Sequence, residues 1–314
     1  EPYRRQRQMC IRDSSCEVIK DMIEGLYYPQ SPYLFNIIEP NLLGKIYEIF
    51  LTEQLVLLEN NTIGLGKKKD CQNRSVVTTP TEIVKYMVDK TLSKVCEGKT
   101  PSEILDISVA DIACGSGIFL EEAFAYLQDY CVQWYICNGQ TDHLIETGID
   151  LYKLPLQEKK DILCSCIYGI DIDIHAVEVA KFSLLIKLIE DETAPSVSEV
   201  VPILPDLGDN IQFGNSLVSQ TELNGISGAN HQMMEIAPFD WSTINNGCGF
   251  DVIIGNPPYV NTEGMHALLP SAEVEIYKKK YKTSHKQFDK YFIFIEQAIN
   301  KINENGLVCY IVPN

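Results

Sequence analysis

Three short stretches carry residue types suited to holding and reacting a small planar molecule. In Phe250-Asp-Val-Ile-Ile-Gly-Asn256-Pro257-Pro258-Tyr259, an apolar run ends in a carboxamide, two prolines and a phenol. The Asn256 carboxamide oxygen and the Pro257 carbonyl can each accept one N–H at about 3 Å, which suits an exocyclic amine. Pro258 removes a competing N–H and stiffens the turn. Tyr259 offers a flat face on which a planar group can stack. In Asp111-Ile-Ala-Cys-Gly115-Ser-Gly117, glycines let the backbone approach a ligand, and the acidic residue ahead of them attracts a cationic group. Gly169-Ile170-Asp171-Ile172-Asp173 presents a second acid, placed to accept two hydrogen bonds from ribose hydroxyls, with Asp173 suited to capping the helix that follows. An acidic strand end after a glycine-rich one fits a nucleoside, in a nicotinamide cofactor or in S-adenosylmethionine, and the Asn256 loop favours the second.

The elements around these stretches must bring them together. Ile107 to Ala113, Cys166 to Ile172, Ile211 to Phe213, Phe250 to Gly255 and Leu307 to Val312 read as buried strands. Between them, helical spacing recurs in Phe119 to Leu127, in Val177, Ala180, Leu184, Leu185 and Leu188, and in Tyr291 to Ile302. Such alternation predicts an α/β fold: a doubly wound, Rossmann-like, mostly parallel sheet covered by helices. The glycine turn then falls at the C-terminal edge of a strand, where open sheets of this kind bind ligands. Residues 128–161 are expected to form a helical insertion. Further N-terminal, Ser15 to about Glu59 has helical periodicity, followed by a polar stretch with Gly64, Gly66 and Lys67 that reads as a mobile connection. Thr79-Pro80 opens a helix with Ile83, Val84, Met87 and Val88 on one stripe.

Composition narrows the field. The 314 residues include 26 basic and 43 acidic side chains, a net charge of −17, which argues against a protein that grips DNA through its bulk field. An apolar share of 45% supports a substantial core, and no apolar run approaches the roughly 20 residues of a membrane span. Eleven cysteines occur without a Cys-x-x-Cys pair, so no metal is expected and the thiols read as small apolar residues of a reducing compartment. Gln8 to Ser14 reads like a translated sequencing adapter, so residues 1–14 are set aside from fold reasoning. The expected division is then 15–75 as an N-terminal helical region and linker, and 76–314 as a catalytic domain.

Six ordered segments together resemble the amino-methylating DNA methyltransferases of the class I S-adenosylmethionine fold, in the motif order of the gamma group. Leu26-Tyr-Tyr-Pro-Gln-Ser-Pro-Tyr33, Leu43-Gly-Lys-Ile-Tyr-Glu48, Thr78-Thr-Pro-Thr-Glu-Ile-Val84 and Tyr281 to Asn314 are similar to the adenine methylases of type IIG restriction-modification enzymes. The resemblance implies that Thr79 and Pro80 close on the methionine end of S-adenosylmethionine. Asp111, Ala113, Cys114 and Gly115 would line that end, with Gly117 at the turn into a helix. Asp171 would hold the ribose, Ile172 would pack on the adenine ring, and Asn215, where the family often has Asp, would accept from the cofactor's adenine amine. Asn256, Pro257, Pro258 and Tyr259 would receive an adenine flipped out of double-stranded DNA for methylation at N6. Lys278, Lys279, Lys280, Lys282 and Lys286 form a basic island suited either to phosphate contact or to a solvated helix face. The resemblance further implies a fragment of a longer bacterial, cytoplasmic, DNA-associated protein. Its final β-hairpin and target recognition domain would lie beyond Asn314, and a nuclease domain could accompany it. Two rival readings are a protein-glutamine methyltransferase, whose substrate amide presents a similar NH2, and a non-catalytic subunit that binds S-adenosylmethionine or DNA.

Overall fold

The computed structural model describes residues 79–193, 196–197, 200–226 and 232–313, the backbone of Glu53–Leu57 and Ile63–Lys67, and a few single positions before them. The chain divides into two compact units, Glu1–Leu42 and Leu43–Asn314. In the first, Val18, Lys20, Asp21 and Glu24 are helical, and Lys20 pairs with Glu24 at 3.6 Å one turn away. The other apolar positions expected on that helix lie outside the described residues.

The second unit departs from expectation at its start. β1 (Glu53–Leu57) and β2 (Ile63–Lys67) pair antiparallel, with Glu53 opposite Lys67 and Leu57 opposite Ile63. The expected helix therefore does not extend to Glu59, and the Gly64 to Lys67 stretch is strand rather than a loose connection. A short apolar run such as Leu55-Val-Leu57 fits either period, and pairing with a second strand decides it.

α1 (Thr81–Cys96) follows Pro80, with Glu82 in its first turn and Lys94 in its last, both complementing the helix dipole. Val84, Met87 and Val88 are buried as expected, but Ile83 is exposed. A short helix, α2 (Pro101–Ile104), leads to β3 (Val109–Asp111), and α3 (Ile118–Cys137) runs well past Leu127. The expected helical insertion instead contains an antiparallel pair, β4 (Ile145–Gly148) and β5 (Leu151–Lys153), before α4 (Leu156–Cys166). Then come β6 (Ile167–Asp171), α5 (Ile174–Ile189) and β7 (Ile211–Phe213). Short helices α6 (Gln220–Asn224) and α7 (Met233–Ile236) precede β8 (Phe250–Gly255). The unit ends with α8 (Thr262–Leu268), α9 (Ser271–Lys280), α10 (Lys290–Lys301) and β9 (Ile302–Tyr310).

The main sheet has the order β7-β6-β3-β8-β9, with every pairing parallel. After β3 the chain winds outward to β6 and β7, then returns to the other side of β3 for β8 and β9. That reversal opens a crevice at the C-terminal ends of the central strands. Helices bury both faces. Val84, Phe124, Leu163 and Leu184 join Val109 and Val252 in one cluster, while Tyr277, Ile293 and Phe294 join Ala110 and Ile253 in the other. Among the described residues no helix is long and apolar enough to cross a membrane.

Candidate active site

The glycine turn wraps around the end of β6. The Cys114 amide donates to the Ile170 carbonyl at 3.0 Å, and the Gly115 amide donates to Asp171 Oδ2 at 2.8 Å. Asp171 Oδ1 accepts from the Asp173 amide at 2.8 Å, and Asp173 itself caps α5 by accepting from His175 at 2.9 Å. Gly117 has φ of 90°, and a Cβ there would meet the Ala180 Cβ at 2.9 Å, so only glycine lets α3 start this close to α5. Each Asp171 oxygen thus already serves one backbone N–H and keeps capacity for one more donor. Ile172, 47% exposed, stands beside it.

Asp111 ends β3 almost fully buried, its Oδ1 accepting from the Ala113 amide at 3.0 Å. The carboxylate lies over Gly255 of β8, where a Cβ would stand 2.6 Å from Asp111 Oδ1. Burial raises its pKa to about 7; the Ala113 hydrogen bond opposes the rise and the neighbouring Asp171 adds to it. Burial likewise raises the Asp171 pKa, against the hydrogen bonds from Asp173 and Gly115. Cys114, between the two acids, has its thiol pushed well above 9 by burial and by both carboxylates, so it stays neutral. Two acids in a place poor in water constitute an electrostatic demand for a cation.

Across the crevice, Gly255 leads into Asn256. The Asn256 Nδ2 donates to Thr79 Oγ1 at 3.1 Å, which brings together two residues 177 positions apart. Its Oδ1 accepts from the Tyr259 hydroxyl, which also lies 2.9 Å from the Ile311 carbonyl. The Tyr259 ring stands edge-on to Tyr291, and burial raises its pKa, with Asp289 adding to the rise. Pro257 is buried, Pro258 partly so, and Pro80 is exposed. The loop is clamped to the start of α10: the Val260 amide donates to Asp289 Oδ1 at 2.9 Å, and the Lys290 amide donates to the Val260 carbonyl at 2.9 Å. Sequence reasoning missed Asp289. Its signal was an Asp just ahead of a helical apolar run, the usual mark of an N-cap.

Asn215 follows β7, in the turn where the cofactor's adenine amine is expected. It is 3% exposed, its carboxamide oxygen accepts from the Leu217 amide at 3.1 Å and its amide donates to Glu273 at 3.0 Å. Glu273 also receives the Tyr277 hydroxyl and faces the Lys290 ammonium at 3.7 Å. This buried network holds the turn after β7 against α9 and α10, and the Asn215 oxygen keeps a second lone pair, the one that the expected acceptance from the cofactor's adenine amine would use. A buried carboxylate needs these partners, and a carboxamide satisfies both sides of the network.

The basic island divides. Lys280 donates to the Leu217 carbonyl at 3.0 Å and pairs with Glu222 at 3.0 Å, so it ties α9 to α6. Lys279 pairs with Glu275 at 2.6 Å, and Lys278 Nζ lies 3.2 Å from His266 Nε2. Lys282 and Lys286 are exposed.

The sequence profile of a family described as Eco57I restriction-modification methylase matches residues 165–314. That match spans just under half of the chain. The matched segment includes Asp171, Asn215, the Asn256 to Tyr259 loop and all of α10. The chain is also 45% identical over 301 residues to the type II restriction enzyme and methyltransferase RM.Eco57I of Escherichia coli, covering 96% of this chain and 29% of the relative. It is 25% identical over 203 residues to the type II methyltransferase M.BstVI of Geobacillus stearothermophilus, covering 64% of this chain and 27% of that one. The chain thus spans less than a third of these relatives' length. A solved structure of a complex of DrdV with DNA shares the fold, with a TM-score of 0.50 and 18% identity over 86% of this chain and 22% of that one.

Proposed function

We propose that this chain carries the catalytic part of a restriction-modification enzyme that methylates the N6 amine of adenine in double-stranded DNA, using S-adenosylmethionine. The observation that carries the proposal is the meeting of a buried acid, Asp111, and a half-buried one, Asp171, with a carboxamide, Asn256, across one crevice at the strand ends. Segment 76–314 would be the catalytic domain of a bacterial, cytoplasmic, DNA-associated protein. Target recognition and nuclease domains would be supplied by other parts of the enzyme.

The fit to the cofactor rests on the donor set. Asp111 has one backbone hydrogen bond and a raised pKa, so an ammonium is the partner that favours its charged form. Asp171 keeps lone pairs for ribose hydroxyls, and Ile172 offers an exposed apolar face to an adenine ring. Thr79 and Pro80 would close this end, with Gly115 and Gly117 admitting the ligand close to the backbone. When bound, S-adenosylmethionine supplies an electrophilic methyl group on a sulfonium.

The chemical problem lies on the other side. An adenine amine is a poor nucleophile because its lone pair is delocalised into the ring. The Asn256 Oδ1 and the Pro257 carbonyl, accepting its two hydrogens, favour a tetrahedral nitrogen whose lone pair is localised and points towards the methyl group. The Tyr259 hydroxyl holds the Asn256 acceptor in the free protein, so the amine would take over a hydrogen bond that already has the right acceptor. The Tyr259 ring then offers its face to the flipped base, offsetting an unstacking cost of a few kcal/mol.

The test is to incubate the full-length protein with labelled S-adenosylmethionine and either duplex DNA or a release-factor-like protein, then digest the products. Label in N6-methyladenine is the expected result. Label in glutamine, or in neither substrate, contradicts it.

A further inference from the structure

Tyr310 closes β9 beside the acidic turn, and its buried hydroxyl has no hydrogen-bond partner among the described residues. The register pairs Tyr310 with Gly255 of β8. Paired residues of neighbouring parallel strands project from the same face of a sheet, with strands about 4.8 Å apart. On that face Gly255 contributes no side chain, and the volume its Cβ would fill lies 2.8 Å or less from the Oδ1, Cγ and Oδ2 atoms of Asp111. The Asp111 carboxylate therefore covers the glycine, and the Tyr310 phenol flanks it one strand further out. Burial, and secondarily Asp111, push the Tyr310 pKa well above 10, so the hydroxyl stays neutral with two acceptor lone pairs.

Packing alone does not account for that oxygen. The Tyr310 ring lies against the apolar cluster of Ala110, Ile253 and Ile293, where phenylalanine would give the same contacts without a buried, unpaired polar atom. Leaving such an atom unpaired costs stability, and a group that pairs with it on binding recovers that cost.

We propose that Tyr310 is a binding residue for the methionyl end of S-adenosylmethionine, its hydroxyl accepting a hydrogen bond from the α-ammonium beside the Asp111 carboxylate. The inference rests on the cofactor reading above. It adds β9 to a site that the sequence assigned to Thr79 and Pro80 ahead of α1, to the ends of β3 and β6, and to the turns after β7 and β8.

The test compares the full-length protein with its Tyr310→Phe variant by calorimetric titration with two probes. S-adenosylmethionine carries the ammonium, and 5′-methylthioadenosine lacks the whole amino-acid portion. The variant should bind S-adenosylmethionine about tenfold more weakly, the scale of one hydrogen bond to a charged group, and 5′-methylthioadenosine as tightly as before. Its ligand-free melting temperature should equal or exceed that of the unaltered protein, because an unpaired buried hydroxyl has been removed. Equal losses for both probes, no loss for either, or a lower ligand-free melting temperature would each overturn the proposal. If the unaltered protein binds 5′-methylthioadenosine but not S-adenosylmethionine, the Tyr310 proposal falls while a nucleoside site stands. If it binds neither, the cofactor reading itself falls, and the Tyr310 proposal with it.

Discussion

The two walls of the crevice solve opposite problems. At the ends of β3 and β6, Asp111 and Asp171 are bonded only to backbone amides in the contacts described, and burial raises both pKa values. In the Asn256 to Tyr259 loop, the carboxamide and phenol are bonded to Thr79, to Ile311 and to each other, and Asp289 grips the loop from α10. The first wall has an electrostatic demand that a cationic ligand meets. The second is internally satisfied and must exchange its hydrogen bonds for those of a substrate. On the proposed function, one wall would serve affinity and the other orientation.

If that division is right, variants on the two walls should separate binding from turnover. The largest effect on binding falls on Asp111. Asp111→Asn should weaken S-adenosylmethionine binding by about 10- to 100-fold near pH 8, the range for losing a charged hydrogen-bond partner. The unaltered protein should also lose affinity by roughly fivefold on going from pH 7 to pH 6, because a carboxylate with a pKa of about 7 must give up its proton to bind a cation. Asp171, Cys114 and Tyr310 face it from β6, the glycine turn and β9. The Asn variant serves as the control, with the steep part of the pH dependence removed. Stability of the ligand-free protein has the opposite sign. Folding holds a proton on Asp111 between its ordinary 3.8 and about 7, so stability falls as pH rises through that window. Calorimetric titrations and melting curves at several pH values read both signs.

A smaller effect is expected at Asp289, which positions the second wall without touching substrate. Asp289→Ala should lower kcat about tenfold, cost about 1 kcal/mol of stability through the lost cap of α10, and leave cofactor affinity unchanged. Asp289→Asn keeps the acceptor oxygen and should restore most of kcat. A parallel loss of cofactor affinity in the Ala variant would show that the two walls are not separate.

The smallest effect is expected at the exposed lysines. Lys282→Gln with Lys286→Gln should lower the salt dependence of DNA binding by about 0.9 in log–log slope for each phosphate contact removed. An unchanged slope would make both of them solvated side chains, and the net charge of −17 would then leave DNA gripping to other parts of the enzyme.

The parts of the site that could be read from the sequence are those in which local residue types decide local geometry. The glycine turn after Asp111, the cap formed by Asp173 and the strand running into Asn256 need only their own neighbours. What escaped reading depends on contacts between distant segments. Asp289 meets Val260 only because α10 packs behind the loop, Glu273 meets Asn215 across 58 positions, and Tyr310 meets Asp111 only across a glycine on the strand between them. The β1–β2 pair and the β4–β5 pair escaped for a related reason. Their short apolar runs suit helix or strand equally until a partner strand is present.

The central claim is that one wall binds the cofactor and the other orients the reacting amine. Its most direct test is Asn256→Ala in the full-length protein, with methyl transfer to duplex DNA and S-adenosylmethionine binding measured on the same preparation. Methyl transfer should fall by about a hundredfold or more, while binding changes by no more than a few fold. Retained methyl transfer, or a loss of binding as large as the loss of transfer, would contradict it.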